Sequence, residues 1–106
     1  MNNYIEQTIS WCRDCFRIGD SVSINYKMGM LKDSWGECDQ IEEGNYEITL
    51  HSIMSLRDMI ATTIHEMLHI KQWETSDTRD SSDNGELEAS NLQYRLADLI
   101  WSLGLL

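Results

Sequence analysis

The chain has 106 residues, 42% of them hydrophobic, and a formal net charge of −10 from 18 acidic and 8 basic side chains. That length holds one domain, residues 1–106, with one modest core, and the hydrophobic share excludes a disordered tail. The acidic balance argues against direct binding of nucleic acid or of an anionic membrane, which both need concentrated Lys and Arg; a basic protein partner, or a carboxylate surface that mimics nucleic acid, remains open.

Met1-Asn2-Asn3-Tyr4-Ile5-Glu6 has no basic stretch and no apolar run, so no signal peptide is expected. No apolar segment reaches the length of a membrane span. The three cysteines are odd in number and two lie three apart, which does not make a disulfide framework. A reducing, cytoplasmic setting is expected.

Along residues 3–17, Tyr4, Ile5, Ile9, Trp11, Cys12, Cys15 and Phe16 fall close to helical spacing, and Gly19-Asp20 is the expected stop. The C-x-x-C of Cys12 and Cys15 has metal or redox precedent. Its place on an apolar helix face favours two small hydrophobes instead. Cys38 could join them at a second zinc site, although no fourth ligand is evident. Val22, Ile24, Tyr26, Met28 and Met30 alternate as in a strand, and Trp35 to Ile41 is a second extended segment. After a turn at 42–45, Tyr46, Ile48 and Leu50 alternate with Glu47, Thr49 and His51, the clearest strand in the chain.

Ser55 with Asp58 three positions later resembles a capping box, opening a helix from about Leu56 to Trp73. Its apolar face is Leu56, Ile60, Ile64, Met67 and Leu68, with His65, Glu66, His69 and Trp73 on the adjoining one. Residues 75–84 read as a polar loop. Asp77, Asp80 and Asp83 within it lack the order and closing Glu of a calcium loop. A last helix runs from about Glu86 to Leu103, with Leu87, Leu92, Leu96, Leu99, Ile100 and Leu103 expected mostly buried. The fold class is α+β: an N-terminal helix, a small sheet of two or three strands, antiparallel or mixed, and two more helices.

His65-Glu66-Met67-Leu68-His69 carries the chemistry. Imidazoles four apart on an α-helix lie about 40° apart around the axis, and both reach one zinc ion at roughly 2.0–2.1 Å. A carboxylate just after the first His points to the open side of such an ion, where it can take a proton from water. A catalytic zinc needs a third protein ligand. The remaining histidine, His51, precedes the motif, so no downstream His exists. A Glu in the first turn of the last helix can face back if the two helices pack antiparallel. Glu86 and Glu88 stand about 200° apart on that helix, so only one of them can do so. Glu86 could equally cap its own helix with Asp83, which would leave Glu88 or a loop Asp.

Thr62-Thr63-Ile64-His65-Glu66-Met67-Leu68-His69 resembles the active-site helix of the SprT-like and gluzincin metalloproteases, the zincins with an H-E-x-x-H signature. Gly44 to Leu50 resembles the strand before that helix. Glu86-x-x-Ala89 resembles the E-x-x-A element of ImmA/IrrE-type and membrane-associated gluzincins. The resemblance spans roughly residues 44–100. It implies His65, His69 and Glu86 as ligands of Zn2+, Glu66 as general base, Ala89 packed close to the zinc helix, and peptide-bond hydrolysis of a peptide or protein substrate. The chain departs from these families in having Ser90 where several carry Asp, and in lacking the third His and the C-terminal zinc-binding cysteines of true SprT proteins.

Zincins commonly add a donor for the oxyanion, and Tyr94, Arg95 and Tyr26 are candidates. Their substrates add as a strand to a sheet edge, here Tyr46–His51 or a neighbour. Two other readings compete: an acidic inhibitory protein that mimics DNA and keeps a structural zinc, and a degenerate zincin that binds peptides without cutting them.

Overall fold

The first helix, α1 (Asn2–Phe16), forms where the apolar spacing predicts and buries Ile5, Ile9 and Cys12. Cys15, expected on the same face, is exposed. The helix also stops earlier than Gly19. The Ile18 N–H donates to the Arg13 carbonyl at 2.9 Å and the Arg17 N–H to the Asp14 carbonyl at 3.4 Å, with Arg17 at φ 57°. This is a Schellman closure, whose left-handed position usually holds glycine. Here an arginine takes it, which is why glycine-guided reading places the stop two residues late. The Arg13 guanidinium donates to the carbonyls of Gly19 at 3.2 Å and Val22 at 2.5 Å, tying down the loop that follows.

In the computed structural model three strands follow, β1 (Ser23–Gly29), β2 (Gly36–Glu42) and β3 (Asn45–His51), then α2 (Leu56–Glu74) and α3 (Asp83–Ser102). The structure describes residues 2–74 and 83–104, and side chains from 4 to 74 and from 87 to 104. Three helices and a mixed sheet make the expected α+β class. The sheet order is β1-β3-β2. β3 pairs in parallel with β1, Ser23 opposite Asn45 through Gly29 opposite His51. It pairs antiparallel with β2, Gly36 opposite Leu50 through Glu42 opposite Asn45, with an irregularity after Gln40. Of the strands expected to take a substrate, Tyr46–His51 or a neighbour, β3 is therefore the central one, and the edges are β1 and β2. Tyr46, Ile48 and Leu50 on β3 are fully buried. Met28 and Met30 are exposed, so the alternation on β1 gives the side each residue takes but not how far the core extends beneath it.

α2 is the centre of the molecule and packs on α1, α3, β2 and β3. It starts at the expected box: the Asp58 N–H donates to Ser55 Oγ at 3.2 Å, and the Ser55 hydroxyl donates to Asp58 Oδ2 at 3.0 Å. Burial extends beyond its predicted apolar stripe to Met59, Ala61 and Ile70, and to Thr62, Thr63, Glu66, His69 and Gln72. A helix enclosed on nearly all sides must either be apolar throughout or give its polar groups internal partners, and the second half of α2 does the latter.

α3 begins at Asp83, three residues ahead of the expected start. Its buried positions are Ala89, Ala97 and Ile100, while Leu87, Leu99 and Leu103 are exposed, contrary to expectation. Small residues let α3 approach α2 closely, and the larger leucines fall on the outer face. The expected loop at 75–84 lies largely outside the described residues, as do the side chains of Asp77, Asp80 and Asp83. Among the described residues no helix is long and apolar enough to cross a membrane.

Candidate metal centre

His65 and His69 are one helical turn apart on α2, and their rings meet edge to face with centroids 4.8 Å apart. The two Nε2 atoms are 3.2 Å apart. Two nitrogens bound at 2.0–2.1 Å to one tetrahedral ion stand roughly 3.3–3.4 Å apart, so the separation fits a shared zinc with almost no movement.

Each ring is held from its other nitrogen. His65 Nδ1 lies 2.5 Å from Gln93 Oε1, an atom of α3. His69 Nδ1 lies 3.0 Å from Gln72 Oε1 on its own helix. An amide oxygen only accepts, so each contact is a hydrogen bond when Nδ1 carries the proton, the tautomer that leaves Nε2 as the acceptor of a neutral ring. The Nε2 contact at 3.2 Å is a hydrogen bond when one ring carries its proton there, and a cation bridging two unprotonated Nε2 atoms would take its place. His69 is further fixed by Trp73, which stacks on it with centroids 6.1 Å apart and on Tyr46 at 5.8 Å. Trp73 thus packs against the ring of His69 and is not among the residues that line the cleft beside Glu66. The Tyr46 hydroxyl donates to Glu74 at 2.5 Å.

Glu66 is 6% exposed. It lies where β2 passes close to α2: a methyl group on residue 36 would come 2.5 Å from Thr62 Cγ2 and 3.2 Å from Glu66 Oε2. Gly36 therefore admits the carboxylate. A cleft of about 250 Å³ opens here, lined by Ser34, Trp35, Gly36, Thr62, His65, Glu66 and Gln93. Cys38, on β2, is pushed up in pKa by burial first, then by Glu66 and Asp39, and so stays a neutral thiol. Burial likewise raises Cys12. Among the described residues no three His, Cys, Asp or Glu side chains cluster as a complete metal cage, and that includes the three cysteines.

The third ligand expected from the motif, Glu86, is in the first turns of α3, with its side chain outside the described residues. Ala89, three positions on, is fully buried. Glu88, the alternative, is exposed and accepts from Gln72 Nε2 at 2.9 Å, so it acts on His69 through an amide. The oxyanion candidates lie elsewhere. The Tyr94 hydroxyl donates to Asp58 Oδ1 at 2.6 Å, the Tyr26 hydroxyl to Glu6 Oε1 at 3.4 Å, and Arg95 is exposed; none of them lines the cleft. His51 closes the end of β3, where its Nδ1 accepts from the Ile53 N–H at 3.1 Å and its ring meets Trp35 edge-on at 5.2 Å.

Gln72, Gln93 and Gly36 are the site residues that motif reading misses. Their signals are positional: Gln72 is one turn past His69, and Gln93 is one turn past Ala89. In comparisons with known proteins, no family model, no curated sequence and no solved structure matches the chain.

Proposed function

We propose that the chain is a minimal zinc-dependent metallopeptidase of the gluzincin type, with His65, His69 and Glu86 holding the metal and Glu66 as general base. The observation that carries this reading is the pair of imidazole Nε2 atoms 3.2 Å apart, each ring's Nδ1 lying beside an amide oxygen. Zinc supplies Lewis acidity at such a site, polarising a carbonyl and making water acidic near neutral pH. Glu66, in the wall of the cleft, takes a proton from the attacking water and returns it to the leaving amine. Gly36 keeps the carboxylate's space open, and the buried surroundings strengthen its electrostatic effect on the reacting atoms. A peptide would run beside β2, because both edges of β3 are already paired.

The cleft over His65 and Glu66 favours a hydrolase over a mimic of nucleic acid, which needs no cleft. The presence of Glu66 favours cutting over mere peptide binding. The test is cleavage of an unfolded protein or a peptide library by zinc-loaded chain and by Glu66→Gln. Loss of turnover by about 10²-fold or more, with zinc still bound, is expected. Equal turnover by the two proteins would remove Glu66 from the mechanism.

A further inference from the structure

We propose that Gln93, together with the Gln72–Glu88 pair, are positioning residues that lock His65 and His69 as Nδ1–H tautomers with both Nε2 atoms aimed at one divalent ion. The proposal rests on the metallopeptidase reading for its purpose but not for its geometry. A carboxylate accepts and cannot donate, so Glu88, at 2.9 Å from Gln72 Nε2, obliges the Gln72 amide to turn its NH2 group outward. Its oxygen then faces His69 Nδ1 at 3.0 Å, and that ring must carry its proton at Nδ1. Glu88 thereby sets the tautomer of a residue it does not touch.

Gln93 does the same for His65 from the opposite helix, at 2.5 Å. His69 is thus connected through a neutral amide to the Glu88 carboxylate, and His65 to an amide of the facing helix. Orienting partners of this kind commonly change metal affinity 10- to 100-fold. A neutral amide also donates less electron density through the ring than a carboxylate would, which leaves a bound cation more electrophilic.

The deciding measurement uses the full chain without metal. Nitrogen-15 spectra of the histidine rings are expected to show His65 and His69 protonated at Nδ1 and unprotonated at Nε2. Rings protonated chiefly at Nε2 would overturn the proposal, and this readout needs no variant to fold. Zinc titration against a competing chelator then tests the amides. Gln93→Leu and Gln72→Leu are expected to weaken zinc binding by about 10- to 100-fold. Gln93→Glu, which still accepts from Nδ1–H, is expected to stay near the native affinity. Glu88→Gln frees the Gln72 amide to turn, and is expected to split the His69 signals into two tautomers with a smaller loss of affinity. Native zinc affinity in both leucine variants would refute the positioning role. A native chain with locked tautomers and bound zinc that cuts no peptide would leave this proposal standing and end the metallopeptidase reading alone.

Discussion

The two ends of α2 solve the same problem in opposite ways. At its start, polar groups meet complementary ones. Ser55 and Asp58 exchange hydrogen bonds, Tyr94 donates to Asp58 at 2.6 Å, and Arg57 grips Asp98 with two contacts of 3.0 Å. One helical stretch further on, His65 and His69 bring two ring nitrogens within 3.2 Å of each other, with each Nδ1 beside a glutamine amide oxygen. The first end is polar structure that fastens α2 to α3. The second gathers two imidazoles and a carboxylate on one stretch of helix, the group on which the proposed metal site rests.

Substitutions should separate the two ends. The largest effect is expected from His65→Ala and His69→Ala, which should weaken zinc binding beyond the 10- to 100-fold expected of the orienting amides. Stability without metal should fall as well, since each ring has an amide partner at Nδ1; chelator competition and chemical denaturation read the two quantities separately. Gly36→Ala should come next. Its methyl would have to displace Thr62 and Glu66, at a cost of about 1–3 kcal/mol by overpacking. Turnover should drop more than stability alone explains, which a comparison of melting curves with cleavage rates would show. Ser55→Ala removes the cap at the structural end and should cost about 1 kcal/mol with zinc affinity unchanged. A change in affinity there would mean that the two ends are coupled.

The smaller effects concern features outside the metal pair. Arg17→Gly places glycine at a left-handed position, φ 57°, and should stabilise the chain by about 1 kcal/mol, measured as a shift in denaturation midpoint. Asp58 has its pKa lowered, first by the Tyr94 hydrogen bond and then by Ser55. A lowered carboxylate adds stability above its ordinary value and loses it as pH falls through the folded one. Unfolding measured on the acid side should therefore show a shallower decline in Asp58→Asn than in the native chain. The group is largely open to solvent, so the difference should be modest.

Local chemistry made much of the molecule legible. The Ser55-x-x-Asp58 box, the alternation over Tyr46–Leu50 and the spacing of His65 and His69 each involve residues close in sequence, whose relation is fixed by helix or strand geometry. The order of the strands was not legible, because alternation says which side a residue takes and nothing about its neighbours. For that reason β3 emerges as the centre of the sheet and not as its substrate edge. The face of α3 is not legible either, since large leucines outweigh alanines in any hydrophobic count, whereas close helix contact selects Ala89 and Ala97. Gln72 and Gln93 were invisible for a related reason: a glutamine on a helix is by default a solvated residue, and only the approach of α3 to α2 gives Gln93 its imidazole. The oxyanion candidates Tyr26 and Tyr94 have the right chemistry but spend their hydroxyls on Glu6 and Asp58.

Zinc stoichiometry bears most directly on the central claim, that the two imidazoles are a preset half of a metal site. Elemental analysis of the purified chain after zinc loading and removal of excess should find one zinc per chain, and none in the His65→Ala/His69→Ala double variant. A native chain that retains no zinc, or a double variant that retains as much as the native chain, would contradict the account.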